Sequence, residues 1–215
     1  MKEFLNPLLK RKSLGEEIPD FDTTFRELEN HDLSKIQVVE VKFLEAQHLS
    51  VYNCSLPDLI NKFIEIGFDR FIILERKNYL KRMISHCVGQ QTNLYHLKNG
   101  NKPQLHSIKM DIGNIKIGKG TNTLIDWFRI IKKDYGNLRS YLINTEFIEF
   151  KFEEDIQTDV RIAYDKVCSF LNIENHEVEI PFVRTNPFDI KDILINFEEV
   201  DNKLTDIEFS WMLRE

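Results

Sequence analysis

No apolar run in the chain approaches the eighteen or so residues that span a bilayer, and no secretory apolar core follows Met1. The expectation is a chain without a membrane span, working in the cytoplasm. Cysteine is scarce: Cys54, Cys87 and Cys168 lie far apart with no CxxC pair. That spacing excludes a thiol metal site and suits a reducing compartment, with the thiols serving as small buried hydrophobes. The six histidines show no HxxxH or HExxH spacing, so no metal is expected. Basic excess is missing too. The formal net charge is −6 over 215 residues, which argues against nonspecific nucleic-acid binding. Any anion site must therefore be a local basic pocket on an acidic body. There are no repeats, no low-complexity runs and no Pro/Gly/Ser linker, and 1–215 reads as a single domain.

What is present alternates between two periods. "IQVVEVKF" (36–43), "FIIL" (71–74) and "FIEFKF" (147–152) read as strands. "SLPDLINKFIEIG" opens with Ser55 three residues before Asp58, carries Pro57 in its first turn, and stops at Gly67. In the long helical stretch from 123, Leu124, Phe128, Ile131, Tyr135, Leu138 and Leu142 share one stripe. A third helix, 159–173, places Val160, Ala163, Val167, Phe170 and Leu171 on one face. Near the C-terminus, Pro187 precedes a helix with Ile190, Ile193, Leu194 and Phe197 as its apolar face. The region 98–123, rich in Gly, Asn and Lys, reads as a long surface excursion. Strands spaced by helices imply βαβ units, a parallel sheet and an α/β fold.

The strand 71–74 ends abruptly on Arg76, where a basic helix begins. In open parallel sheets, ligands sit beyond the carboxyl ends of the strands. On a helix starting near Lys77, Asn78, Lys81, Arg82 and Ser85 fall on one face. A strand-end arginine, a helix N-terminus and a hydroxyl make a pocket for a phosphate-like anion. The bland alternative leaves Lys81 and Arg82 solvated and Ser85 an ordinary helix residue.

The string "LERKNYLKRMISHCVGQQTNLYH" resembles the R-x-N-x-L-x-R-x-x-S…Q-T-x-x-W/H block of bacterial carbohydrate-type sulfotransferases, the group that includes trehalose and nodulation-factor enzymes. "FIEFKFEEDIQTDVRIAYDKVCSFLNI" is similar to that family's strand, "YEDL" turn and "FLG" helix. "VRTNPFDIKDILINFEEVDNKL" is similar to its C-terminal K-x-T-N-P segment, and "KEFLNP" to its "EYFNP" element. The four motifs occur in the family's order and cover nearly the whole chain.

The resemblance implies a three-layer, P-loop-like sulfotransferase fold with helices on both faces of a central parallel sheet. It implies sulfuryl transfer from 3′-phosphoadenosine-5′-phosphosulfate, a co-substrate, to a hydroxyl acceptor on a carbohydrate or small metabolite, without a metal. Arg76 and Ser85 occupy the positions that bind the donor's 3′-phosphate. Glu3 stands where the family's proposed general base does. Oligomeric state stays open. One departure is large: the family's N-terminal strand, Ser/Thr/Gly-rich phosphosulfate loop and helix should precede "KEFLNP", and the chain starts at Met1 without them. The alternative reading is therefore a truncated, noncatalytic nucleotide-binding or interaction protein. "GNIKIGKGT" (113–121) nearly matches G-x-x-x-x-G-K-[ST], but Gly120 replaces the metal-binding hydroxyl, which disfavours a P-loop kinase.

Several residues keep two readings. Lys42 interrupts an apolar strand similar to the family's "G-V-K-I", and either lines the cleft or snorkels at a strand end. His48 faces an acceptor pocket or makes a surface hydrogen bond. Glu153, Glu154 and Asp155 read as partners of nearby basic residues, and Trp127 and Trp211 as core or docking residues.

Overall fold

The computed structural model describes residues 21–29 and 36–214, with mixed α/β architecture. Its elements in chain order are α1 (Phe21–Glu29), α2 (Leu56–Glu65), β1 (Arg70–Glu75), α3 (Tyr79–Thr92), β2 (Leu97–Lys98), β3 (Ile115–Ile117) and β4 (Gly120–Asn122). Then follow α4 (Leu124–Leu142), β5 (Glu146–Lys151), α5 (Val160–Leu171), β6 (Phe182–Val183), α6 (Ile190–Ile193) and α7 (Phe197–Leu204). Two compact units divide them. One holds the chain up to Phe71 with Lys116–Thr121 and Lys133–Glu146; the other holds Ile72–Ile115, Asn122–Lys132 and Phe147–Glu215.

The first unit is built on α1 and α2. Ser55 caps α2 reciprocally: its Oγ accepts from Asp58 N–H at 3.3 Å, and the Asp58 carboxylate accepts from Ser55 N–H at 3.3 Å. The helix buries Leu59, Ile60 and Phe63, and Gly67 takes a φ of +94° just past its end. Phe63 meets Phe25 of α1 edge-on at 4.9 Å between ring centroids. The stretch 36–43 is not a strand. Its exposure does alternate, with Val39 and Val41 packed on this cluster while Ile36 and Val38 face outward. The period of two thus comes from one face lying on helices, not from a sheet ladder.

The near-Walker sequence is a hairpin turn between β3 and β4. Gly118 has φ +58°, and a Cβ there would sit 1.9 Å from the Ala46 carbonyl oxygen. That oxygen accepts from Lys119 N–H at 2.9 Å, and Lys119 Nζ donates to the Ser50 carbonyl at 2.9 Å. The Gly-Lys pair is used for packing against residues 46–50.

In the second unit, β1 and β5 pair in parallel. Their cross-strand partners keep one constant separation of 76 residues, as in Glu75–Lys151 and Lys77–Glu153; Arg70–Glu146, at the start of the same strands in the first unit, keeps it too. An antiparallel pair would hold the sum constant instead. β1 buries Ile73 and Glu75 and exposes Ile72 and Leu74, so it is half-buried rather than buried throughout. β2 and β6 pair antiparallel, Leu97 opposite Val183.

All six expected stripe positions of α4 are buried. Trp127 is buried beside them and its Nε1–H donates to the Ile115 carbonyl at 2.7 Å, while Trp211 is 38% exposed. The stripe on α5 is weaker: of its five expected members only Ala163 is buried and the others are half-buried, while Cys168, outside the stripe, is buried too. The region 98–123 is not a loose excursion. It buries Ile108, Met110, Ile115 and Ile117, and Ile108 bridges in parallel to Leu194. That bridge explains why the C-terminal helix is broken in two. Leu194 leaves helical geometry (φ −87°, ψ 111°), and Ile195 N–H donates to the Ile108 carbonyl at 2.8 Å. Asn196 then exchanges two hydrogen bonds with the Met110 backbone, both at 2.9 Å.

Ile190, Ile193, Val200, Leu204 and Met212 are all buried, and the Met212 carbonyl accepts from the buried Asn78 side chain at 2.8 Å. Each large buried side chain contributes about 1.5–3 kcal/mol. Deleting 184–215 removes enough of them to exceed the usual net stability of about 5–15 kcal/mol. The truncated chain should therefore lose its cooperative thermal transition for this unit. A melting curve identical to that of the full chain would show the segment to be an appendage.

Candidate functional site

The carboxyl ends of β1 and β5 finish in a set of charges. Glu75, almost fully buried, accepts from Tyr79 Oη–H at 2.7 Å and from Lys151 Nζ at 2.7 Å. Lys151 also donates to Glu149 at 2.5 Å. One rung further, the Arg76 guanidinium lies 4.8 Å over the Phe152 ring. Beyond that rung, the Glu153 carboxylate accepts from Lys77 N–H at 2.9 Å and from Asn78 N–H at 3.2 Å.

Those last contacts correct the expected pocket. The two amides just before α3, Lys77 N–H and Asn78 N–H, are taken by Glu153, and Lys81 N–H in its first turn is capped by the Asn78 side chain at 2.9 Å. These three amides are thus occupied by the protein's own oxygens. Asn78 does not belong to a polar stripe: it is fully buried, held by the Met212 carbonyl. The remaining stripe members, Lys81, Arg82 and Ser85, are half-buried.

Arg76 is left with a surplus. Its Nε is buried with no acceptor in hydrogen-bonding range, the Glu153 oxygen standing 3.8 Å away. Burial pushes its pKa down to about 10; Glu153 opposes that shift, while Arg184 and Arg82 add to it. Arg76 therefore stays charged at neutral pH, near two more guanidiniums and one carboxylate that is already committed.

A cleft of about 1000 Å³ opens at this point. Arg76 and Ser85 line it, together with residues from 95–103, 152–161 and 180–187. β6 delivers the last of these, so Arg184 enters directly after Val183. Of the four residues nominated from sequence, two come together in this cleft. Lys42 belongs to the first unit, where its N–H donates to His48 Nδ1 at 3.1 Å and its carbonyl accepts from His48 N–H at 3.1 Å. His48 thus makes a local hydrogen bond. Glu3 lies outside the described residues.

The acidic triplet is a set of ion-pair partners, as expected. Glu154 pairs with Lys77, and Asp155 with Lys166 at 2.5 Å, which holds the Asp155 carboxyl below its usual range. Cys168 is buried and Cys54 and Cys87 half-buried; burial pushes the latter two thiols up. Among the described residues no helix is long and apolar enough to cross a membrane. Sequence reasoning missed Phe152 and Arg184. Arg184 sits inside the quoted "VRTNP", and its charge was the available signal. Comparison of the chain with family models, with curated proteins and with solved structures finds no match.

The Glu75–Lys151 pair makes a testable demand. Removing one partner of a buried pair costs about 3–5 kcal/mol. Lys151→Met should cost near the lower end, since Lys151 is 21% exposed and Tyr79 still serves Glu75. Adding Glu75→Gln should recover part of the loss. Urea unfolding decides it, and an unaltered midpoint for the single variant would refute the pairing.

Proposed function

We propose that the cleft binds the 3′-phosphate of 3′-phosphoadenosine-5′-phosphosulfate, and that the protein is a sulfotransferase-like enzyme of three-layer fold acting on a hydroxyl acceptor. One observation carries this reading. Three segments far apart in sequence, each quoted above for its resemblance, converge on a single cleft: Arg76 with Ser85, the turn 152–161, and Val183–Pro187. The cleft lies past the carboxyl ends of two parallel strands, where ligands of α/β proteins collect. The unsatisfied Nε of Arg76 and the surplus of guanidiniums fit a phosphate.

In the reaction so proposed, an acceptor hydroxyl attacks sulfur in line and a new O–S bond forms. The bond from sulfur to the bridging phosphate oxygen breaks, and adenosine 3′,5′-bisphosphate leaves with the electron pair. The acceptor proton passes to a carboxylate, assigned by resemblance to Glu3. Arg76 and Ser85 hold the far end of the donor, and their contribution is to positioning.

A charge-assisted contact contributes about 1.5–3 kcal/mol. Arg76→Ala should therefore weaken binding of adenosine 3′,5′-bisphosphate at least about tenfold in titration calorimetry. Equal affinity, or no binding to the unaltered protein, would sink the assignment. Transfer separates this reading from the noncatalytic alternative. With labelled donor and a panel of sugar acceptors, Glu3→Gln should lower turnover by roughly 10²–10⁴-fold. Nucleotide binding without any turnover by the unaltered chain would favour the binding protein.

A further inference from the structure

Glu153 uses its carboxylate on Lys77 N–H and Asn78 N–H, and approaches Arg76 no closer than 3.8 Å. Arg76 sits in the field of one carboxylate, Glu153, and of two further guanidiniums, Arg184 and Arg82, three guanidiniums against one carboxylate. The next charges on the wall cancel: Asp159 accepts from Arg161 N–H at 3.0 Å, and its carboxylate is 3.7 Å from the Arg161 guanidinium. The Arg76 guanidinium carbon lies 4.8 Å from the centre of the Phe152 ring, and Ser85 brings a hydroxyl to the lining of the same cleft. A singly charged ligand would leave this group with a positive remainder, while a doubly charged one closes it.

We propose that Arg184, entering from the end of β6, forms with Arg76 a two-guanidinium seat that selects a doubly ionised phosphate monoester over singly charged anions. Arg184 is exposed, and the two arginines line the same cleft from different elements. This rests on the cleft being the phosphate site of the reading above, and deepens it by naming the charge state the site takes and a residue that sets it. Arg184 lies inside the quoted "VRTNP" segment, but the resemblance as stated gave it no role.

The probes are ribose 5-phosphate, which gains its second charge at a pKa of about 6, and inorganic sulfate, which stays doubly charged throughout. His96, Tyr95, Asp159 and Arg161 also line the cleft. Sulfate keeps its charge from pH 5 to 7 and meets the same protein groups, so the ratio of the two affinities isolates the ionisation of the ligand.

Affinities are measured between pH 5 and 7 by NMR titration on the full chain. The ribose 5-phosphate to sulfate ratio should rise roughly tenfold as the phosphate ionises. Arg184→Ala should weaken ribose 5-phosphate at pH 7 at least about tenfold and flatten that rise. Arg184→Lys should keep much of it, and a thermal melt of each variant checks that the fold is intact. Arg184→Ala binding both anions like the unaltered protein would overturn the proposal. So would a flat ratio in the unaltered protein, or no anion binding at all. If ribose 5-phosphate binds with the expected rise but adenosine 3′,5′-bisphosphate does not bind, the seat stands and the nucleotide reading falls.

Discussion

The constant separation of 76 residues between β1 and β5 is the constraint on which the cleft depends. In a parallel pair, a slip of one residue would turn every side chain to the opposite face. Here a slip would separate Glu75 from Lys151, lift Arg76 off Phe152, and withdraw Glu153 from the start of α3. The buried Glu75–Lys151 pair is well placed to prevent it. Such a pair contributes little net stability when intact but is costly to break, so its effect is on register more than on total energy.

From that register follows the electrostatics. The body is acidic, with a net charge of −6, yet Arg76 feels two further guanidiniums, Arg184 and Arg82, against the one carboxylate of Glu153. By accepting from Lys77 N–H and Asn78 N–H, Glu153 removes those two amides as anion donors, while Arg76 and Arg184 line the cleft. Desolvation makes this arrangement matter, since a charge held against an apolar ring in a half-closed cleft interacts more strongly than one in bulk water.

The C-terminal segment supports the same corner from behind. Asn78 caps α3 with its side-chain oxygen and gives its amide to Met212. Leu194 breaks its helix to bridge Ile108, and Asn196 fastens Met110. A polar group buried without such partners would cost about 1–3 kcal/mol, so these contacts hold the C-terminal segment to the start of α3 and to residues 108–110.

Local chemistry determined much of this on its own. The capping box at Ser55, the stop at Gly67, the α4 stripe and the two strands 71–74 and 147–152 depend on neighbours within a few residues, and are legible in the sequence for that reason. The pairing of Arg76 with Ser85 in one cleft was likewise readable from strand end and helix spacing. Tertiary structure decided the rest. An alternating stretch such as 36–43 satisfies its pattern equally well against helices as against strands, and only packing chose the former. The break at Leu194 needed a partner 86 residues away, as the Asn196–Met110 bonds show. Arg184 and Phe152 became part of the site because β6 and β5 bring residues distant in sequence to the end of β1, and a single chain read in order carries no record of that meeting.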